Sequence, residues 1–328
     1  MKKIDVKIVN WLLTRRCNLK CSYCGIINEK VEERDWEETF FDMKLLHKLY
    51  QPFHILYGGE PLLYDNLDKL VNACNKENIP YTIITNNSDG VQKRLENLFN
   101  KVEYIQGLTS SIDPLLFDPT VKDSDRLEKS RKGYERLIKL ADNNQVKDLV
   151  AEITVDATNI EFLESLVYRL TQHNISSSIT FIDIKKNDNY DFSSVTDKSL
   201  MVQKTDHVRQ ILNRLIDQGL DVHMGKDLMD ITLDSLPANY DCKFEECLHN
   251  LTIDANGFLR LCLRIGGELV KSINVVDLLT NSDINHAKFV ADKKLLCEKC
   301  NWSCVMMSNL AIKQDVMNTI LHSEKRNI

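Results

Sequence analysis

Six prolines and eleven glycines are few for a chain of 328 residues. That scarcity excludes a collagen-like repeat and a Pro/Gly-rich low-complexity chain. No run of about 18 consecutive apolar residues occurs, so no membrane-spanning helix is expected. Neither sign of charge dominates, since 42 basic and 48 acidic side chains leave a net charge of −6. A protein that coats nucleic acid or an anionic membrane is normally basic, so no nucleic-acid and no membrane partner is expected. The N-terminal apolar stretch is broken by Asp5, Lys7 and Asn10 and ends at Arg15 and Arg16. It is too short and too polar for a secretory signal. The expectation is a cytoplasmic protein, and with it reduced cysteines rather than structural disulfides.

Against this background the ten cysteines stand out. Cys17, Cys21 and Cys24 fall within eight residues, and Cys242, Cys247, Cys262, Cys297, Cys300 and Cys304 lie in the last third. In a reducing compartment such clusters point to metal or cluster ligands. Cys74 stands alone on an apolar helical stripe with Leu70 and Val71 and reads as core.

The first 180 residues alternate short β-rich runs (5–13, 53–57, 81–85, 108–112, 149–155 and 177–182) with amphipathic stretches (36–50, 66–75, 126–141 and 160–170). This alternation predicts repeated βα units and a parallel sheet. Six such units make about three quarters of an eight-unit barrel, although spacing alone does not separate an open barrel from a doubly wound sheet. Residues 183–200 are polar and turn-rich, 201–220 reads as one more helix, and 248–263 carries two alternating runs around Asn256-Gly257, a hairpin signal.

Three thiols spaced Cys17-x3-Cys21-x2-Cys24, just after the first strand, suit a cubane iron–sulfur cluster. Three protein ligands to four irons leave one iron open to a small molecule. Zinc, which usually takes four ligands from paired CxxC units, and plain core cysteines are the alternatives.

The Cx3CxxC loop in a run of βα units resembles the radical S-adenosylmethionine (SAM) superfamily. Tyr23 matches the aromatic that packs near the adenine. Gly58-Gly59-Glu60-Pro61 resembles the GGE(P) motif that holds the methionine amino group. Thr85-Asn86-Asn87 resembles the TNG segment, with Asn87 where glycine is usual. Ser110, Ser111 and Asp113 resemble the pattern that contacts the SAM ribose or carboxylate. Read singly, each of these is a turn or a helix cap. Their order, each at the C-terminal end of a successive predicted strand, is what persuades. No clear copy of the glycine-rich segment near the fifth strand is present, and Arg126 or Arg131 could reach the SAM carboxylate or simply lie on a helix surface. The resemblance implies a [4Fe-4S] cluster on Cys17, Cys21 and Cys24, reductive cleavage of SAM, a 5′-deoxyadenosyl radical and hydrogen abstraction from a substrate.

The second cysteine group, Cys247-x9-Gly257-x4-Cys262 with Cys242 before it and Cys297-x2-Cys300-x3-Cys304 after it, resembles the SPASM and twitch extensions of such enzymes. It implies one or two auxiliary Fe–S clusters, with structural zinc as the alternative. Six thiols do not saturate two four-ligand clusters. The resemblance implies an α/β fold: a partial (β/α)6 TIM-type barrel over 1–182, a linker and bridging helix over 183–235, and a small cysteine-rich α+β domain over 236–328. It implies a reductant such as flavodoxin or ferredoxin. It also implies a ribosomally made peptide or protein as substrate, or alternatively a small molecule of the aminocyclitol or sugar type. The first strand begins near residue 5, so no peptide-recognition unit is expected before it. Asp183, at the end of the sixth strand, is one candidate base. A non-catalytic Fe–S or zinc scaffold and an electron carrier are the remaining readings.

Overall fold

The computed structural model describes residues 6–21, 32–117, 125–181, 202, 206–223, 250–260 and 274–276. β1 (Ile8–Leu12) is buried along its whole length. A strand buried on both faces belongs inside a parallel sheet, and β1 is paired on both sides. β2 (Phe53–Tyr57) lies beside it in parallel, with Trp11 opposite Leu56. β3 (Tyr81–Thr85), β4 (Ile105–Ile112), β5 (Val146–Val155) and β6 (Ser176–Phe181) follow in chain order, each parallel to the last.

Helices cover one face of this sheet. α1 (Trp36–Tyr50) starts at Asp35, whose carboxylate accepts from the Trp36 N–H, and ends at Gln51 in the left-handed region. α2 (Leu67–Glu77) buries Leu67, Leu70, Val71 and Cys74. α3 (Gln92–Phe99) buries Leu95 and Leu98. Together with Val9, Trp11, Leu56, Ile83 and Leu108 they form one core. α4 (Asp125–Ala141), α5 (Leu163–Gln172) and α6 (Asp206–Asp217) form a second core with Ala151, Ile153 and Val155 of β5. No helix among the described residues is long and apolar enough to cross a membrane.

Among the described residues the sheet order is β6-β5-β4-β3-β2-β1-β7-β8, so the sheet is open there, with β6 and β8 as its outermost strands. This is the expected partial TIM-type α/β architecture. The bounds of β2, β3 and α1 match the sequence expectation. β4 and β5 start earlier, at Ile105 and Val146, because polar residues such as Gln106 and Asp148 pair within them. The expected hairpin is present as β7 (Asn250–Ile253) and β8 (Leu259–Arg260), with Gly257 at its turn at φ +83°. β7 runs parallel to β1, Ile8 opposite Asn250 and Trp11 opposite Ile253, so the hairpin extends the barrel sheet. The helix expected over 201–220 is α6; its Val208, Ile211, Leu212 and Leu215 pack in the same core as α5.

Candidate active site

Parallel strands bring their C-terminal ends to one rim, where α/β folds gather functional groups. Here the rim collects the loops after β1, β2 and β3. Cys17 and Cys21 lie in the first, partly exposed, and neither is in a disulfide. The Leu19 N–H points at Cys17 Sγ at 3.4 Å, and Asn86 Nδ2 approaches the same sulfur at 4.0 Å. The soft donor set and its partial exposure therefore fit an iron–sulfur cluster.

The two glycines after β2 have a direct reason. The loop after β1 passes over them, with the Gly59 N–H donating to Thr14 O at 2.8 Å and the Glu60 N–H to Arg16 O at 2.8 Å. A Cβ on Gly58 would lie 2.6 Å from Thr14 O, and one on Gly59 would lie 2.4 Å from Arg16 O. What approaches this backbone is the cysteine loop itself.

Glu60 is fully buried. Its Oε1 accepts from Leu62 N–H at 3.1 Å and Thr85 Oγ1 at 2.8 Å, and its Oε2 accepts from Asn86 N–H at 2.8 Å. Burial pushes the carboxyl pKa up; the Asn86, Thr85 and Leu62 donors pull the other way. Glu60 thereby ties the loops after β2 and β3 together. Asn86 continues the knot, donating through Nδ2 to Asn18 Oδ1 at 3.0 Å, while Asn18 donates to Ser88 Oγ at 2.7 Å. Asn87, where the resembling motif has glycine, sits at φ 45°, a left-handed conformation that asparagine tolerates better than most residues. Arg136 of α4 donates to its carbonyl.

Ser111 lies opposite Glu152 of β5, which lies opposite Ser178 of β6. Their strand neighbours Ile112, Ile153 and Ile179 face the helices in the second core, so this row lines the other, inner face of the sheet. Glu152 accepts from Thr180 Oγ1 at 2.6 Å, and burial raises its pKa against the Thr180 and Ser178 hydroxyls. Asp148, two turns of the pleat earlier on that face, is likewise raised by burial. Neither stands out in the sequence, where the signal for them is polar residues alternating with apolar ones in a strand. Asp113 acts locally: its Oδ1 accepts from Leu115 N–H and Asn159 Nδ2, both at 3.0 Å, capping the turn after β4. Arg131 is exposed on α4. Tyr23, Cys24, Asp183, Cys242, Cys247, Cys262, Cys297, Cys300 and Cys304 lie outside the described residues.

Arg15 and Arg16 lead into the cysteine loop, and in the sequence they mark only the charged end of the apolar stretch. Arg15 forks onto Asp254, just past β7, and Arg16 forks onto Glu33, whose hydrogen bond is the first cause of its raised pKa.

Residues 11–157 match the family model of the Radical SAM superfamily. A stretch of 92 residues is 37% identical to an uncharacterised protein of Methanocaldococcus jannaschii, covering 26% of this chain and 30% of that protein. Over 207 residues the chain is 28% identical to the GTP 3′,8-cyclase of Aquifex aeolicus, covering 58% of this chain and 61% of the cyclase. The matches thus span less than two thirds of these curated relatives. Among solved structures, SuiB of Streptococcus suis bound to S-adenosylmethionine aligns with TM-score 0.60 at 14% identity, covering 87% of this chain and 68% of that one. Native anSMEcpe with bound AdoMet and Cp18Cys peptide aligns with TM-score 0.56 at 16% identity, covering 91% and 87%. At such identities the likeness is one of fold.

Proposed function

We propose that this chain is a radical SAM enzyme whose Cys17, Cys21 and Cys24 hold a [4Fe-4S] cluster with one iron open to SAM. The observation that carries this reading is the knot at the rim: the Gly59 and Glu60 N–H groups hold the backbone just before Cys17, at Thr14 and Arg16, and Glu60 accepts from the Asn86 N–H, whose side chain approaches Cys17 Sγ. When bound, the cluster supplies the electron that splits the S–C5′ bond of SAM, giving methionine and a 5′-deoxyadenosyl radical that takes hydrogen from the substrate.

The chain's own residues hold the parts in place. The backbone at Gly58 and Gly59 seats the cysteine loop, and Glu60 fixes the loop after β3 beside it. Tyr23 is assigned to the adenine. Thr85, Asn86, Ser111 and Asp113 complete the SAM cradle, with Thr85 and Asp113 acting through the backbone that they brace. The inner-face row of Ser111, Glu152 and Ser178 offers the substrate a polar wall.

Cys242, Cys247, Cys262, Cys297, Cys300 and Cys304 are assigned to one or two auxiliary clusters that would take up the electron given by the substrate radical as it is oxidised. The hairpin between Cys247 and Cys262 supports that assignment, since it is the form the resembling extension requires. A peptide or protein substrate is favoured by the fold shared with SuiB, solved with precursor peptide SuiA, and with anSMEcpe, solved with a peptide. A small-molecule substrate is the second reading, favoured by the identity with a GTP 3′,8-cyclase. Flavodoxin or ferredoxin would supply the electron.

Anaerobic reconstitution tests the cluster content. About 8 irons per chain are expected with one auxiliary cluster, about 12 with two and about 4 with none. Uptake of zinc to the exclusion of iron would overturn the proposal.

A further inference from the structure

The β7–β8 hairpin grips both stems of the cysteine loop. On the entering stem, two residues before Cys17, Arg15 forks onto Asp254: Nε donates to Oδ1 at 3.1 Å and Nη2 to Oδ2. This pair is largely buried, at 13% and 5% side-chain exposure, so the fork is shielded from solvent. Asp254 is itself fixed: its N–H donates to Phe258 O at 2.9 Å, and its carbonyl accepts from Gly257 N–H at 2.8 Å. On the leaving stem, the Arg34 N–H donates to Ala255 O at 2.8 Å. The Arg34 side chain lies under the hairpin turn, where a Cβ on Gly257 would sit 2.3 Å from its Cδ. That side chain is anchored from below, Nη1 donating to the buried Asp42 at 2.6 Å, and Tyr64 Oη donates to Arg34 O at 2.9 Å. The hairpin is in turn fastened to the sheet, with β7 in register on β1 and Asn10 Nδ2 donating to Leu251 O at 3.1 Å.

Residues 15 and 34 are the two points between which Cys17, Cys21 and Cys24 are strung. We infer that Asp254 and Gly257, more than 200 residues downstream of that loop, are positioning residues for it: the hairpin sets the geometry in which the three thiols are presented. This role is separate from any cluster the C-terminal cysteines hold. Its functional consequence rests on the reading that those thiols bind the SAM-cleaving cluster, but the grip itself does not.

The test uses the full chain before cluster loading, with amide hydrogen exchange as the readout. Asp254→Asn keeps the size and the Oδ1 acceptor and removes the ion pair. Gly257→Ala adds the clashing carbon at a left-handed position. In both variants exchange across 14–21 should quicken about tenfold or more, while β3 and β4 keep their protection. Iron retained after reconstitution should fall in parallel, and Arg15→Lys, which keeps charge but loses the fork, should give an intermediate result. Unchanged exchange at 14–21 in both variants would overturn the inference. So would exchange that quickens equally through β3 and β4, because the hairpin would then support the barrel as a whole. A chain that shows the local effect yet never binds iron would leave the grip standing and sink the cluster reading instead.

Discussion

His54 sits in β2 facing the helices, fully buried, and accepts the Trp11 indole N–H on Nδ1 at 2.9 Å. Burial first, and then the charge of His47, push its pKa down to about 3. An unfolded histidine titrates near 6.5. A folded pKa below the unfolded one means that the neutral ring is the native form. Its contribution is therefore whole above about pH 6.5 and is lost as pH falls towards 3. His54→Phe should cost ~1–3 kcal/mol at pH 7 by orphaning the indole N–H. The gap between wild type and variant should then narrow as pH drops from 6.5 to 4.5, by at most about 1.4 kcal/mol per pH unit. Urea unfolding at several pH values measures both effects. Asn87 offers a second single-residue test. At its φ of 45°, Asn87→Gly should be nearly neutral, whereas Asn87→Val should lose ~1–2 kcal/mol. Thermal unfolding of the two variants separates them. The residue types of the site were legible in advance because cysteine triads and a GGE run are rare by chance. That Glu60 serves its neighbours through Thr85, Asn86 and Leu62 was not, since those partners are up to 26 positions away.

The loops after β1, β2 and β3 act as one unit because their backbones are interlocked. Gly59→Ala places a carbon against Arg16 O, an atom of the main chain that cannot rotate aside. Overpacking of this kind typically costs ~1–3 kcal/mol. The displacement should fall on the cysteine loop, so iron bound after reconstitution should drop while the helical circular dichroism signal is kept; full iron content in this variant would refute the interlock. Most elements could be read from periodicity: α1, β2 and β3 have the bounds their pattern implies. α3 escaped because its eight residues, QKRLENLF, carry only three apolar side chains among charges. The early ends of β4 and β5 escaped because Gln106, Gly107 and Asp148 are poor strand formers whose places are set by their neighbours.

The open sheet would leave β1 as an edge if the hairpin were removed. Val9 and Trp11 are almost fully buried, and β7 takes up the free side of β1. A chain cut after residue 223 should expose that edge and associate, which size-exclusion chromatography would show as oligomers or loss to aggregate. A monomeric, soluble fragment would mean that the hairpin is dispensable for the sheet. The sequence signalled the hairpin through Asn256-Gly257, but not its partner. Local alternation specifies a strand, whereas pairing with a strand some 240 residues earlier depends on tertiary contacts such as Asn10 to Leu251.

Cleavage of SAM tests the account as a whole. Incubated anaerobically with dithionite and SAM, the reconstituted chain should release 5′-deoxyadenosine, and the variant carrying Cys17→Ala, Cys21→Ala and Cys24→Ala together should release none. Nucleoside formed by that variant at the wild-type rate would contradict the assignment of those three thiols.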